Sequence, residues 1–223
     1  MNLKKIELIK KLWKFKKNIL ANNSHKIASI LVPLVEINNN IFVVLEKRAK
    51  NISQEDEICF PGGKFDENLD IDFSYTAIRE TAEELGISFN EISIISDLNI
   101  LYTPLNSIIY SYFGYLKIKN INKLNFNKLE VQKLILIPLD ELILLDYKVF
   151  FVEQKNELFK QNSNILTFPT KELGLPKKYH KSWYNSPREI FVYYYQNEII
   201  WGITALILKD FIEKYKKLNF WFL

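Results

Sequence analysis

Apolar positions along the chain recur mainly at the spacing of β-strands, and helical spacing is confined to a few segments. Residues 26–37 and 41–49 are rich in β-branched side chains, and Asn38, Asn39 and Asn40 lie between them. Such runs on either side of a turn predict a β-hairpin. Further predicted strands lie at residues 57–60, 92–103, 107–118, 129–137 and 147–154, with a second hairpin at 188–202.

Helical spacing is found at both ends of the chain. Residues 3–20 place apolar side chains at helical spacing between lysines, which predicts an N-terminal amphipathic helix within residues 1–24. This helix either packs on the domain with a solvated lysine face or binds a membrane surface or a polyanion. Residues 203–218 predict a C-terminal amphipathic helix, and the strand that ends at Pro138 is predicted to lead into a short helix.

A third predicted helix lies in the middle of the chain, in the segment that follows Gly62 and Gly63. Asp72 or Ser74 can cap its start, and Gly86 suits its C-terminal exit. Strands and helices in this order predict one α+β domain over residues 1–223, with a mixed sheet flanked by helices. Residues 154–188 show no regular pattern and are expected to form an extended excursion.

The composition of the chain excludes some classes of function but does not assign one. The 223 residues are 48% hydrophobic, and 30 basic against 26 acidic side chains leave a net charge of only +4. This balance suits an acidic small molecule better than a nucleic acid as the partner. One cysteine excludes an internal disulfide, and no apolar run is long enough to span a membrane. We therefore expect a cytoplasmic protein. A homodimer is compatible with the sequence, which leaves the oligomeric state open.

The middle helix concentrates negative charge on one side. At an advance of about 100° per residue, Glu83 lies roughly −60° and Glu84 roughly +40° from Glu80, so we expect three carboxylates to share one exposed arc. Ala82 and Leu85 fall on the opposite side, where they can pack into the core. Like charges at this spacing disfavour a helix by roughly a few tenths of a kcal/mol per pair. A divalent cation with a preference for oxygen ligands, Mg²⁺ or Mn²⁺, would offset this repulsion.

The alternative is a solvated acidic face without function, which is common for short runs of glutamate. That alternative leaves the glycine pair unexplained, because Gly62 and Gly63 remove side chains where the backbone can approach a ligand or turn sharply. A glycine pair, a loop and then the sequence Arg79-Glu80-Thr81-Ala82-Glu83-Glu84-Leu85-Gly86-Ile87 form a more specific combination than either half alone.

This combination resembles the Nudix box, whose second half reads Arg-Glu, an apolar residue, any residue, Glu-Glu, any residue, Gly and an apolar residue. Thr81 replaces the apolar residue, and the gap between the glycine pair and Arg79 is two residues longer than in the standard box. The first glutamate of the box has no direct counterpart, so that Asp66, Glu67 or Asp70 must stand in for it. The resemblance implies an α/β/α sandwich around a mixed sheet.

The resemblance also implies roles for individual residues. Glu80, Glu83 and Glu84 would ligate divalent metal ions together with the carbonyl of Gly62, and Arg79 would orient a glutamate of the helix. The reaction implied is hydrolysis of a nucleoside diphosphate linked to another group. Gly86 would serve the helix end, and Gly63 would let the backbone approach the substrate. Glu130 matches a downstream acidic position that serves as a metal ligand or base in some members, or it makes no functional contact.

Stretches outside the box resemble the coenzyme A pyrophosphatase branch of the family, including "SILVPLVE", "CFPGGKFD" and "IIWGITALIL". Arg48 occupies the position of a conserved arginine of that branch, where it contacts substrate phosphate or pairs with a nearby glutamate. A second arginine of the motif is missing, and Ile52 or Ser53 stands in its place. Loss of an arginine that could bind phosphate through two hydrogen bonds is not a neutral change.

Three other functions compete with hydrolysis of coenzyme A or its acyl thioesters. The first is hydrolysis of ADP-ribose or NADH by the same site. The second is a ligand sensor without catalysis, which would have no need of the three carboxylates. The third is processing of RNA ends, which would rest on the basic N-terminal segment and would show strong salt dependence.

Overall fold

The computed structural model describes residues 25–104, 106–118, 120, 121, 124–160 and 162–220. The predicted helix at residues 1–24 lies outside these ranges. Eight strands form the larger sheet: β1 Lys26–Ile37, β2 Asn40–Arg48, β3 Ile58–Cys59, β4 Gly62–Lys64, β5 Ile92–Asp97, β6 Leu101–Thr103, β7 Ser107–Leu116 and β8 Val131–Pro138. Three strands form a separate sheet: β9 Tyr147–Asn156, β10 Trp183–Tyr195 and β11 Glu198–Trp201. The helices are α1 Phe73–Leu85, α2 Leu139–Leu142 and α3 Gly202–Phe220.

The larger sheet is mixed. Its main path runs β3-β2-β1-β7-β5, while β4 pairs with β1, β6 with β7 and β8 with β2. β1 and β7 are parallel over ten residue pairs, and the other pairs are antiparallel. The predicted hairpin is confirmed: Asn38 and Asn39 have φ of 52° and 63°, the left-handed values that a two-residue hairpin turn requires.

Two hydrophobic clusters pack on opposite faces of this sheet. Successive side chains of a strand point to opposite faces, so Leu31 and Val35 of β1 pack towards α1 with Leu85. Val32 and Leu34 pack on the other face, in a cluster that includes residues of α3 and of the smaller sheet. The sheet is therefore covered on both sides, as the resemblance implied.

Several details differ from the pattern-based prediction. The run at residues 92–103 is two strands, because a break at residues 98–100 separates β5 from β6. The excursion expected at 154–188 is shorter: β9 extends to Asn156 and β10 begins at Trp183. Between them, the described residues contain a 3₁₀ turn, Lys177–Tyr179, and one isolated bridge. Among the described residues, no helix is long and apolar enough to cross a membrane.

Candidate functional site

Local signals fix the ends of helix α1. The Asp72 side chain accepts a hydrogen bond from the Tyr75 amide at 2.8 Å, which makes Asp72, not Ser74, the N-cap. Gly86 ends the helix with φ of 66°, and its amide donates to the carbonyl of Ala82. A side chain at Gly86 would collide with the carbonyl oxygen of Asn125. Both helix ends are thus determined by the residues that the sequence pattern singled out.

The three glutamates of α1 lie in different environments. Glu84 is buried, and its Oε2 accepts a hydrogen bond from the Gly62 amide at 2.8 Å. The side chain of Glu80 is 18% exposed and that of Glu83 is 55% exposed. The picture of one exposed arc is therefore wrong for Glu84, because α1 packs against β1 and β4 on the side from which Glu84 projects.

The glycine pair permits close packing on two sides of β4, because Gly62 faces β1 and Gly63 faces α1. A Cβ atom at Gly62 would collide with the carbonyl oxygen of Ser29 on β1. A Cβ atom at Gly63 would collide with the carboxyl group of Glu80. Backbone that carries no side chain is thus placed directly against the carboxylates of the helix.

Arg79 connects the carboxylates of this region. Its Nε and Nη2 donate to the two carboxyl oxygens of Asp70 at 2.7 and 3.0 Å, a bidentate ion pair. Its Nη1 lies 2.8 Å from Glu80 Oε1 and 3.3 Å from Glu83 Oε2. Of the three candidates for the first acidic position of the box, Asp70 is thus the one that pairs with the helix. The hydrogen bonds from Arg79 lower the pKa of Asp70 to about 2.

Sequence reasoning missed Glu46, which is 1% exposed on β2. The Cys59 thiol donates to its Oε1 at 3.3 Å, and its Oε2 has no hydrogen-bond partner among the described residues. Burial raises the pKa of Glu46 above its usual range. Burial likewise raises the pKa of Glu84, and the negative charge of Glu46 raises it further. The signal in the sequence was a glutamate that directly follows the apolar run Ile41 to Leu45 within the strand "IFVVLEKR".

Glu130 belongs to the same electrostatic cluster although its side chain is exposed. It precedes β8, and its carbonyl accepts a hydrogen bond from the Ala49 amide just beyond β2. Its negative charge raises the pKa values of Glu46, Glu80 and Glu84. We refer to Glu46, Glu80, Glu83, Glu84 and Glu130 as the glutamate cluster.

The glutamate cluster fits a divalent cation by its chemistry. Its donors are all carboxylate oxygens, and burial, together with the negative charge of neighbouring carboxylates, raises the pKa values of Glu46, Glu80 and Glu84. The Oε2 atom of buried Glu46 is a further acceptor for which the described part of the chain offers no hydrogen-bond donor. Among the described residues no three acidic, histidine or cysteine side chains converge closely enough to hold an ion. Glu80 and Glu83 instead contact Arg79, and Glu84 contacts the Gly62 amide.

A cleft of about 270 Å³ begins at Gly62 and extends away from α1. Arg48 lines it, and the Arg48 Nε donates to the carbonyl of Ser53 at 2.9 Å. Half of the other lining residues have large apolar side chains: Ile30, Phe60, Ile109, Ile190, Trp201, Ile203 and Ile207. The cleft can accommodate a ligand with an anionic part near Arg48 and an apolar part beyond it.

Comparison with known proteins agrees with this geometry. The family model described as NUDIX domain matches residues 25–158. Nudix hydrolase 3 of Caenorhabditis elegans is 29% identical over 84% of this chain and 72% of its own length. Peroxisomal coenzyme A diphosphatase NUDT7 of Mus musculus is 30% identical over 50% of this chain, and mitochondrial coenzyme A diphosphatase NUDT8 of Homo sapiens is 29% identical over 52%.

The chain covers 47% and 50% of the lengths of these two coenzyme A diphosphatases. The family match covers more than half of the chain and includes the glycine pair, α1 and Glu130. It also includes β1 to β8, the strands of the larger sheet. The chain belongs to the Nudix family and is a pyrophosphohydrolase of that family.

Proposed function

We propose that this chain hydrolyses the diphosphate bond of coenzyme A or of its acyl thioesters, with Mg²⁺ or Mn²⁺ as cofactor. The products would be adenosine 3′,5′-bisphosphate and 4′-phosphopantetheine or its acyl derivative. The observation that carries the proposal is the cleft, which Arg48 and several apolar residues line together with Gly62 and Cys59. The Gly62 amide and the Cys59 thiol donate hydrogen bonds to Glu84 and Glu46 of the glutamate cluster. The lining of the cleft suits a diphosphate that bears a largely uncharged substituent.

Glu80, Glu83 and Glu84 would hold the divalent ion, together with the carbonyl of Gly62. A bound divalent ion would neutralise the diphosphate and lower the pKa of a bound water molecule. Glu80 and Glu83 must first leave Arg79, which can retain its two hydrogen bonds to Asp70.

Side chains would carry out proton transfer and substrate binding. Glu130 would accept the proton as the water oxygen forms a bond to one phosphorus and the bridging P–O bond breaks. The released phosphate would leave with the bridging oxygen. Arg48 would bind the phosphoryl oxygens, and Gly63 would keep the backbone close to the substrate. Glu46 is buried, and its negative charge acts on Glu84 and raises the pKa of that side chain.

A substrate panel tests the proposal. Purified protein is incubated with coenzyme A, ADP-ribose, NADH and diadenosine tetraphosphate, each with Mg²⁺ or Mn²⁺, and kcat/KM is compared. We expect coenzyme A or an acyl thioester to give the highest value. Preference for ADP-ribose or NADH would contradict the assignment and favour that substrate class. Absence of turnover with any substrate would favour a ligand sensor.

Variants test the assigned residues in the same assay. Replacement of Glu83 or Glu84 by Gln should lower kcat by at least about 100-fold, because a neutral amide cannot replace a charged metal ligand. Glu130→Gln tests the role of Glu130: a lower kcat would indicate a base, and an unchanged kcat would indicate a residue without a role. Glu153→Gln is the matched control, because Glu153 is an exposed glutamate on β9 outside the glutamate cluster. A cytoplasmic location and a homodimer remain predictions.

A further inference from the structure

The cleft that begins at Gly62 has a second wall that belongs to the other sheet. Gly62 and Cys59 are lining residues that donate hydrogen bonds to the glutamate cluster, and Arg188 and Ile190 of β10 with the first residues of α3 form what we call the second wall. A ligand whose diphosphate lies at Gly62 can therefore also contact the smaller sheet.

Arg188 is the charged side chain of this second wall. Its Nε is buried and has no hydrogen-bond partner among the described residues. It lies two residues before Ile190 on the same strand, so both side chains project from the same face. The pairing of β9 and β10 is irregular between Asn185 and Arg188. A buried guanidinium nitrogen without an acceptor is rare in folded proteins, and a ligand that supplies one would satisfy it.

The surrounding charges favour an anion. Arg48 and Arg188 outnumber the one carboxylate among the residues that line the cleft, Glu57. Helix α3 begins at the cleft with Gly202, Ile203 and Thr204 and has no acidic residue in its first turn. The amino end of this 19-residue helix adds a partial positive charge to those of the two arginines.

Arg48 and Arg188 differ in their relation to the glutamate cluster. Arg48 lies on β2, two residues after Glu46, and its positive charge lowers the pKa of Glu46. It is thus placed to bind the diphosphate. Arg188 lines the same cleft but belongs to β10 of the smaller sheet.

We propose that Arg188 is a specificity-determining residue that binds a phosphate monoester carried by the substrate in addition to its diphosphate. The inference rests on the proposed function, because coenzyme A carries such a group on its ribose. It also assigns a second arginine to the cleft of a chain whose sequence motif lacks one. The apolar residues beside Arg188 then contact the uncharged parts of the substrate.

The kinetic test compares coenzyme A with dephospho-coenzyme A, which lacks this monoester. Arg188→Gln should lower kcat/KM for coenzyme A by roughly 10- to 100-fold, the loss expected for a charge-assisted hydrogen bond. It should change kcat/KM for dephospho-coenzyme A less than about twofold. Arg188→Lys should restore part of the difference in kcat/KM between coenzyme A and dephospho-coenzyme A. Lys155→Gln is the control, because it removes a charge from β9 of the same sheet outside the cleft. It should leave kcat/KM unchanged for both substrates.

A binding test separates this inference from the proposed function. Calorimetry compares adenosine 3′,5′-bisphosphate with adenosine 5′-monophosphate and requires no turnover. We expect the unaltered protein and Lys155→Gln to prefer the bisphosphate by about tenfold or more, and Arg188→Gln to lose this preference. The inference would be overturned if Arg188→Gln lowered kcat/KM equally for coenzyme A and dephospho-coenzyme A, or lowered it for neither. It would also be overturned if Arg188→Gln still preferred the bisphosphate over the monophosphate. Failure to hydrolyse coenzyme A with an intact binding preference would overturn the proposed function alone.

Discussion

Replacement of Asp70 by Asn tests the ion pair that connects the loop after β4 to helix α1. Asp70 is 6% exposed, and its carboxylate accepts two hydrogen bonds from Arg79. The asparagine keeps the shape of the side chain but not its charge. The pKa of Asp70 falls from an ordinary 3.8 to about 2, and one pKa unit corresponds to about 1.4 kcal/mol. We therefore expect Asp70→Asn to lower the free energy of unfolding by about 2 kcal/mol at pH 6.

The same pKa predicts how this difference depends on pH. The folded protein binds the Asp70 proton more weakly than the unfolded chain, so the ionised aspartate favours the folded state. Its contribution is complete above about pH 4 and is lost as the pH falls through about 2. Roughly half should remain at pH 3. The difference between the two proteins should therefore shrink between pH 6 and pH 3.

Denaturant titrations at pH 6, 4 and 3 measure this difference. Glu67→Gln is the matched control, because it removes an exposed carboxylate from the same loop. We expect its free energy of unfolding to lie within about 0.5 kcal/mol of the unaltered protein. A pH-independent difference between Asp70→Asn and the unaltered protein would refute the reasoning. A difference below about 0.5 kcal/mol at pH 6 would show that the pair contributes no net stability, as some buried pairs do not.

Three substitutions test the packing of α1. Glu84→Gln should raise Tm by a few degrees at pH 8 without metal, measured by calorimetry. Burial raises the pKa of Glu84, so folding at this pH is penalised by a carboxyl group that is ionised in the unfolded chain, and the amide removes this penalty. A lower Tm would contradict this. Gly63→Ala should lower kcat/KM by roughly 10- to 100-fold while Tm changes little, because the methyl group displaces the flexible Glu80 carboxylate. Gly86→Ala should lower the free energy of unfolding, measured by denaturant titration, by about 1–3 kcal/mol. The reasons are that Gly86 has a left-handed backbone conformation and that a side chain there would collide with the carbonyl oxygen of Asn125.

Features set by neighbouring residues could be predicted from the sequence. The hairpin at Asn38 and Asn39, the helix between Asp72 and Gly86 and the strand that ends at Pro138 all follow from local turn and capping chemistry. The Nudix box identified the glutamates of α1 for the same reason, because its residues lie within one loop and one helix.

Features set by distant contacts could not be predicted. The burial of Glu84 depends on how α1 packs against β4, a three-residue strand that carries no alternating pattern. The burial of Glu46 depends on β1, β3 and β8, all of which pair with β2. Helical periodicity places a residue on an arc, but whether that arc faces water depends on what packs against it.

The cleft illustrates the same limit for specificity. A motif search compares residues at fixed spacing and finds Ile52 or Ser53 where a second arginine is expected. A phosphate responds to the positions of charges in space and not to their order in the chain. Arg188 reaches the cleft from β10, a strand of a separate sheet that lies outside the family match. The missing arginine in the motif is therefore weak evidence against an anionic substrate, and the charge that lines the folded cleft is the better guide.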